Sequence, residues 1–219
     1  GYIQQRSSFE SVNLATALEK GMFSKDLKQF MDPVSRMYLP LSDALEINVI
    51  DPQRTLVKDS ECDLYKPIAT AIQEGIVDES DCSVLDTKSQ LKVEISTAVS
   101  QKLLMEMPTH GFCLVDAVQF GLFQSSTNSF YHPWKQKCYG LQESISLGLI
   151  DEKQPQVLVV DKGILTVEDA MEQGILDKQT CIYQKRFTLP EAISKGLVFK
   201  VGQRTVQSII SVVQDLLKE

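Results

Sequence analysis

Residues 158–177, LVVDKGILTVEDAMEQGILD, hold a pattern that the rest of the chain repeats in weaker form. The alternation on either side of Asp161-Lys162-Gly163 predicts a β-hairpin. Thr166, with Asp169 three positions on, is close to a capping box and predicts a helix start. Val167, Ala170 and Met171 would form the apolar stripe of that helix. Gly174 would stop it, because a residue without Cβ enters the left-handed region freely. The unit is therefore hairpin, short helix, glycine, two apolar residues and Asp. It is too small to enclose a core, so it must bury its apolar face against further copies.

Aligned on Ala170, the same frame recurs at Ala17, Ala44, Ala71, Ala98, Ala117, Ser144 and Ala192. An aliphatic residue stands three positions before each: Leu14, Leu41, Ile68, Ile95, Leu114, Leu141, Val167 and Leu189. Another follows directly, from Leu18 to Ile193, and four positions on comes glycine, except at Asn48 and Lys102. The steps of 27, 27, 27, 19, 27, 26 and 22 residues lie in the range of repeat architectures. The fold class expected is α+β: a compact stack of β-hairpin–short-helix units, each packed on its sequence neighbours. A small residue at a fixed helix position allows close approach, and leucine there would overpack the seam by roughly 1–3 kcal/mol. The 19-residue step is too short for a full hairpin. Met107-Pro108-Thr109-His110-Gly111 fills it as a junction, dividing one domain over 1–219 into sub-blocks 1–106 and 107–219. Val206, Ile209, Ile210, Val213, Leu216 and Leu217 mark an amphipathic C-terminal helix, expected to cap the stack.

With 219 residues and 43% apolar composition, the chain can bury a sizeable core. No window approaches the ~18 consecutive apolar residues of a membrane span. Gln4, Gln5 and Arg6 stand where a signal peptide would need an apolar run. The five cysteines are odd in number and scattered, which fits free thiols and the cytoplasm. Gly-x-Ser-x-Gly, Gly-x-Gly-x-x-Gly and phosphate-loop patterns are missing from the sequence, and His110 and His132 are not spaced to complete a zinc site. Neither an enzyme, a cofactor nor a metal is expected. His132 beside Trp134 reads as a packed hairpin side chain.

Charge is the more informative property. A net charge of −7 disfavours nucleic acid and anionic membranes. Yet residues 178–204 hold Lys178, Lys185, Arg186, Lys195, Lys200 and Arg204 against Glu191 alone. Lys135 and Lys137, on the aromatic hairpin after Phe130, would extend a basic strip if the hairpins lie side by side. Ordinary solvated charges at hairpin tips are the competing account.

The phrases MDPVSRMYLPLSDALEINVIDP, GILTVEDAMEQGILDKQT and RFTLPEAISKGLVF resemble plakin (plectin-type) repeats. The family's Asp-Pro turn is matched by Asp32-Pro33, and its helix by Leu189, Glu191, Ala192, Ile193, Gly196 and Leu197. The resemblance covers nearly the whole chain from Leu14 onward. It implies a non-enzymatic module of a cytoskeletal linker, monomeric as a fragment. The implied partners are vimentin-like or keratin-like intermediate-filament rods, met by a basic groove made of Lys135, Lys137, Lys185, Arg186, Lys195, Lys200 and Arg204. The sequence departs from the family in its shorter units, which leave little room for the family's second helix. It also lacks glycine at Asn48 and Lys102. Such divergence is more similar to the spectraplakin cytolinkers than to other members. The alternative is a protein–protein or organelle-docking scaffold without filament affinity.

Overall fold

In a computed structural model describing residues 14–26 and 28–202, the repeated frame becomes eight α-helices of six residues each. They are α1 (Leu14–Glu19), α2 (Leu41–Glu46), α3 (Ile68–Gln73), α4 (Ile95–Ser100), α5 (Leu114–Gln119), α6 (Leu141–Ser146), α7 (Val167–Glu172) and α8 (Leu189–Ser194). Helices this short do not persist alone in water, so packing must hold them. The small residue of every helix, from Ala17 to Ala192 and including Ser144, is 0% exposed. The first aliphatic residue is buried as well in α2 to α8.

Every helix also ends the same way. The residue after the C-cap is left-handed, at Gly21, Asn48, Gly75, Lys102, Gly121, Gly148, Gly174 and Gly196. The next N–H, from Met22 through Leu197, donates to the carbonyl of the small residue at 2.8–3.0 Å. The left-handed residue itself donates to the carbonyl following the small one. This bond pair is the Schellman motif. Asn48 (φ 55°) and Lys102 (φ 58°) adopt it without glycine, and the apolar pairs that follow, Val49-Ile50 and Leu103-Leu104, are buried.

The chain divides into two compact units, Gly1–Met107 and Pro108–Glu219. The first contains β1 (Phe30–Met31), β2 (Tyr38–Leu39), β3 (Thr55–Asp59), β4 (Leu64–Pro67), β5 (Val77–Asp78), β6 (Ser83–Asp86), β7 (Leu91–Glu94) and β8 (Leu104–Glu106). These form antiparallel sheets β1-β2, β4-β3-β8 and β5-β6-β7. The second contains β9 (Phe123–Gln124), β10 (Ser129–His132), β11 (Lys137–Tyr139), β12 (Pro155–Val159) and β13 (Gly163–Thr166), in sheets β11-β10-β9 and β12-β13. The architecture is mixed, with short helices and small antiparallel sheets.

A row in which each hairpin–helix touches only its sequence neighbours is not what forms. In the first unit α1 meets α4, and β8 returns to pair with β3. In the second α5 meets α8, and Val198 bridges to Val157 on β12. Each set of four helices therefore closes on itself, which covers the apolar stripes that an open row would leave bare at both ends.

The two units share local geometry about one hundred positions apart. Phe23 and Phe30 meet edge-to-face at 5.3 Å, and Phe123 and Phe130 at 5.1 Å. Met31 donates to the Met22 carbonyl, and Tyr131 to that of Leu122. The hairpin turns follow one plan. Asp32, Asp59, Asp86 and His132 stand twelve residues before the small residue of the next helix. The residue four positions after each is left-handed: Arg36, Asp63, Gln90 and Gln136. Carboxylate oxygens of Asp32, Asp59 and Asp86 accept the N–H two positions on, at 3.1–3.2 Å. The Asx-turn thus supplies what glycine would otherwise supply.

The β3–β4 and β6–β7 hairpins are regular, whereas β12–β13, the segment closest to the template, carries a register shift between Pro155 and Val157. Gln156 sits in that irregularity, fully buried, and its Oε1 accepts the Leu114 N–H at 2.8 Å. A bulge re-aims one side chain inward, and here it satisfies an orphan donor of the first turn of α5. The expected C-terminal capping helix and Arg204 lie outside the described residues.

Candidate binding surface

Between α7 and α8 the chain makes two turns that set up a cationic surface. Asp177 opens the first: its carboxylate accepts the Gln179 and Thr180 N–H groups at 2.9 and 2.8 Å and the Thr180 hydroxyl at 2.8 Å. These bonds, led by the Thr180 N–H, hold its pKa below the usual carboxylate range. Tyr183 then anchors the hairpin, its buried hydroxyl donating to the Leu158 carbonyl at 2.8 Å. The tip follows with Gln184 and Lys185 both left-handed (φ 47° and 57°) and Arg186 N–H donating to the Tyr183 carbonyl. Two consecutive left-handed residues make a tight hairpin usually written with Asn-Gly.

Phe187 follows the tip, and two cations converge on its ring. The Arg186 guanidinium carbon lies 4.7 Å and Lys195 Nζ 5.0 Å from the ring centroid. Lys195 is in reach because it is the C-cap of α8, whose start is fixed at Thr188 by Glu191. The Glu191 carboxylate accepts the Thr188 N–H at 2.8 Å and its hydroxyl at 2.9 Å. Those two bonds, with a smaller contribution from Lys195, lower the Glu191 pKa. Lys185, Arg186 and Lys195 are exposed. Exposed cation–π contacts contribute about 0.5–1 kcal/mol each and hold a long side chain near one position.

The other basic residues stand elsewhere. Lys200 Nζ is 2.6 Å from Asp116 Oδ2 on α5, and this hydrogen bond raises the lysine pKa. Its charge is compensated there. Lys135 and Lys137 are exposed on the β10–β11 hairpin, in a different sheet. The start of α6, just after the β10–β11 hairpin, meets the Asp177 turn: Leu141 and Gln142 N–H donate to the carbonyls of Gln179 and Lys178. Gly140 lies so close that a Cβ there would come within 2.9 Å of the Gln179 carbonyl oxygen.

A groove of about 370 Å³ contains His110, Cys113 and Asp116, a combination that invites a catalytic reading. The chemistry does not support it. Cys113 accepts the Asp116 N–H at 3.4 Å as the N-cap of α5, and burial pushes its thiol pKa up, away from the thiolate a nucleophile needs. Asp116 is committed to Lys200. Among the described residues no cluster of His, Cys, Asp and Glu is placed to hold a metal ion, and no helix is long and apolar enough to cross a membrane.

Comparison with protein-family models, curated proteins and solved structures gave no match for this chain. Phe187 was not legible as a site residue. It occupies the position five before the small residue, where Leu39, Val93, Tyr139 and Leu165 also stand, so the sequence pattern places it in the core rather than under two cations.

Proposed function

We propose that this chain is a plakin-type repeat module of a cytoplasmic cytoskeletal linker, without enzymatic activity, that binds the acidic rods of intermediate filaments. The observation that carries the reading is the exposed set of Lys185, Arg186 and Lys195, two of them organised on the Phe187 ring. A guanidinium fixed beside an ammonium offers paired recognition of carboxylates. On an acidic chain such a patch steers a negative partner to one place. The recurring hairpin–helix geometry and the resemblance of the Leu189–Leu197 segment support the family. Lys135 and Lys137 are a separate exposed pair on the β10–β11 hairpin, while Lys200 contributes to the unit's own packing. Reversing the tip with K185E/R186E should abolish co-sedimentation with vimentin filaments while leaving circular dichroism and melting unchanged.

A second reading, a docking scaffold for other proteins, draws on the net charge of −7 and on the compensation of Lys200 by Asp116. A folded protein that fails to pellet with filaments even at low salt would favour it.

A further inference from the structure

His132 stands where Asp32 stands one hundred positions earlier, at the head of the same five-residue turn. In Asp32, Asp59 and Asp86 the acceptor works as an anion. In His132 it works only as a neutral ring: Nδ1 accepts the Lys135 N–H at 3.4 Å, and Gln136 N–H donates to the His132 carbonyl at 2.8 Å. The imidazole is 7% exposed and lies edge-on to Trp134 and Tyr139, with centroids 6.1 and 6.2 Å away. From this geometry we infer that the Pro133–Gln136 turn is a proton-operated latch, closed while His132 is neutral and released when it is protonated.

A second proton turns Nδ1 into a donor that faces the Lys135 N–H, so the turn loses its side-chain acceptor. The new cation is largely buried and meets like charge from the turn. The ionisable residues on elements packed against β10 are Lys135 in the turn, Lys137, Cys138 and Tyr139 on β11, and Glu143 on α6; β9 carries none. Lys137 is the cross-strand partner of His132. Burial, then Lys135, lowers the His132 pKa from its ordinary value. The sign follows: the unfolded turn binds the proton more readily, so stability is full above pH ~6.5 and is lost as pH falls toward the lower folded value. The Asp59 and Asp86 carboxyls, held below the usual carboxylate range, keep their turns' acceptors throughout that window. The hairpin bearing Lys135 and Lys137 is thus the acid-sensitive one of the set.

The test is NMR on the 219-residue protein. His132 should titrate below ~6.5, and the Lys135 amide should lose protection in step, by about tenfold per pH unit inside the window. H132N, which keeps an acceptor but does not titrate, should remove the midpoint near neutrality. H132D should move it into the carboxylate range near pH ~4. Titration of His132 at or above its ordinary value would overturn the latch. So would a Lys135 amide whose response in the wild type survives unchanged in H132N.

Discussion

Gly174→Ala and Lys102→Gly form a reciprocal pair that isolates the backbone term in the recurring helix stop. Gly174 has φ 68°, and a Cβ built there meets nothing within 4 Å. The substitution therefore costs conformation alone. Left-handed backbone costs an L-residue roughly 1–2 kcal/mol, and the smaller entropy of unfolded alanine returns about 0.4–1 kcal/mol. The expected net loss is about 1 kcal/mol, or about 4–8 °C in melting temperature for a unit of this size. Lys102 (φ 58°) carries that strain already, so glycine should raise the stability of the first unit by a similar amount. Its carbonyl, which accepts the Tyr65 hydroxyl at 2.7 Å, is kept. Urea unfolding followed by circular dichroism, fitted for two transitions if the units separate, reads both changes. A neutral Gly174→Ala together with a destabilising Lys102→Gly would refute the shared Schellman stop as the organising device.

Two further outcomes follow from the packing and the turns. Ala117, 0% exposed on α5, should lose roughly 1–3 kcal/mol on replacement by leucine; denaturation that matches wild type would mean the helix seam has room to spare. Asp177 has a lowered folded pKa, so its contribution is complete above pH ~3.9 and declines as pH falls through the folded value. D177N should flatten the acid limb of the stability–pH curve below pH 4, and an unchanged limb would remove the turn from the acid response.

The helices were legible because three constraints coincide in each: an aliphatic first residue, a small third-from-last residue, and a left-handed stop. Asn48 and Lys102 looked like failures of the third constraint, yet the backbone kept the left-handed stop. The hairpin turns were less visible. Their left-handed positions are Arg36, Asp63, Gln90 and Gln136 rather than glycine, so the usual turn signal is missing. What marks them is the acceptor at the turn head, and His132 disguises it by exchanging carboxylate for imidazole. Closure of α1 on α4 and of α5 on α8 was hidden because the pattern marks which stripe each helix buries, not which helix covers it. Lys200 and Asp116 lie 84 residues apart; local charge counting therefore left Lys200 in the basic strip, where the fold pairs it away.

Co-sedimentation of the 219-residue protein with vimentin filaments, at low and at near-physiological salt, tests the proposed binding surface most directly. Screening shortens the reach of exposed charges to about 8 Å at 0.15 M, so pelleting should be strong at low salt, fade as salt rises, and vanish in K185E/R186E. Pelleting that ignores both salt and charge reversal, or none at low salt from a folded protein, would contradict the account.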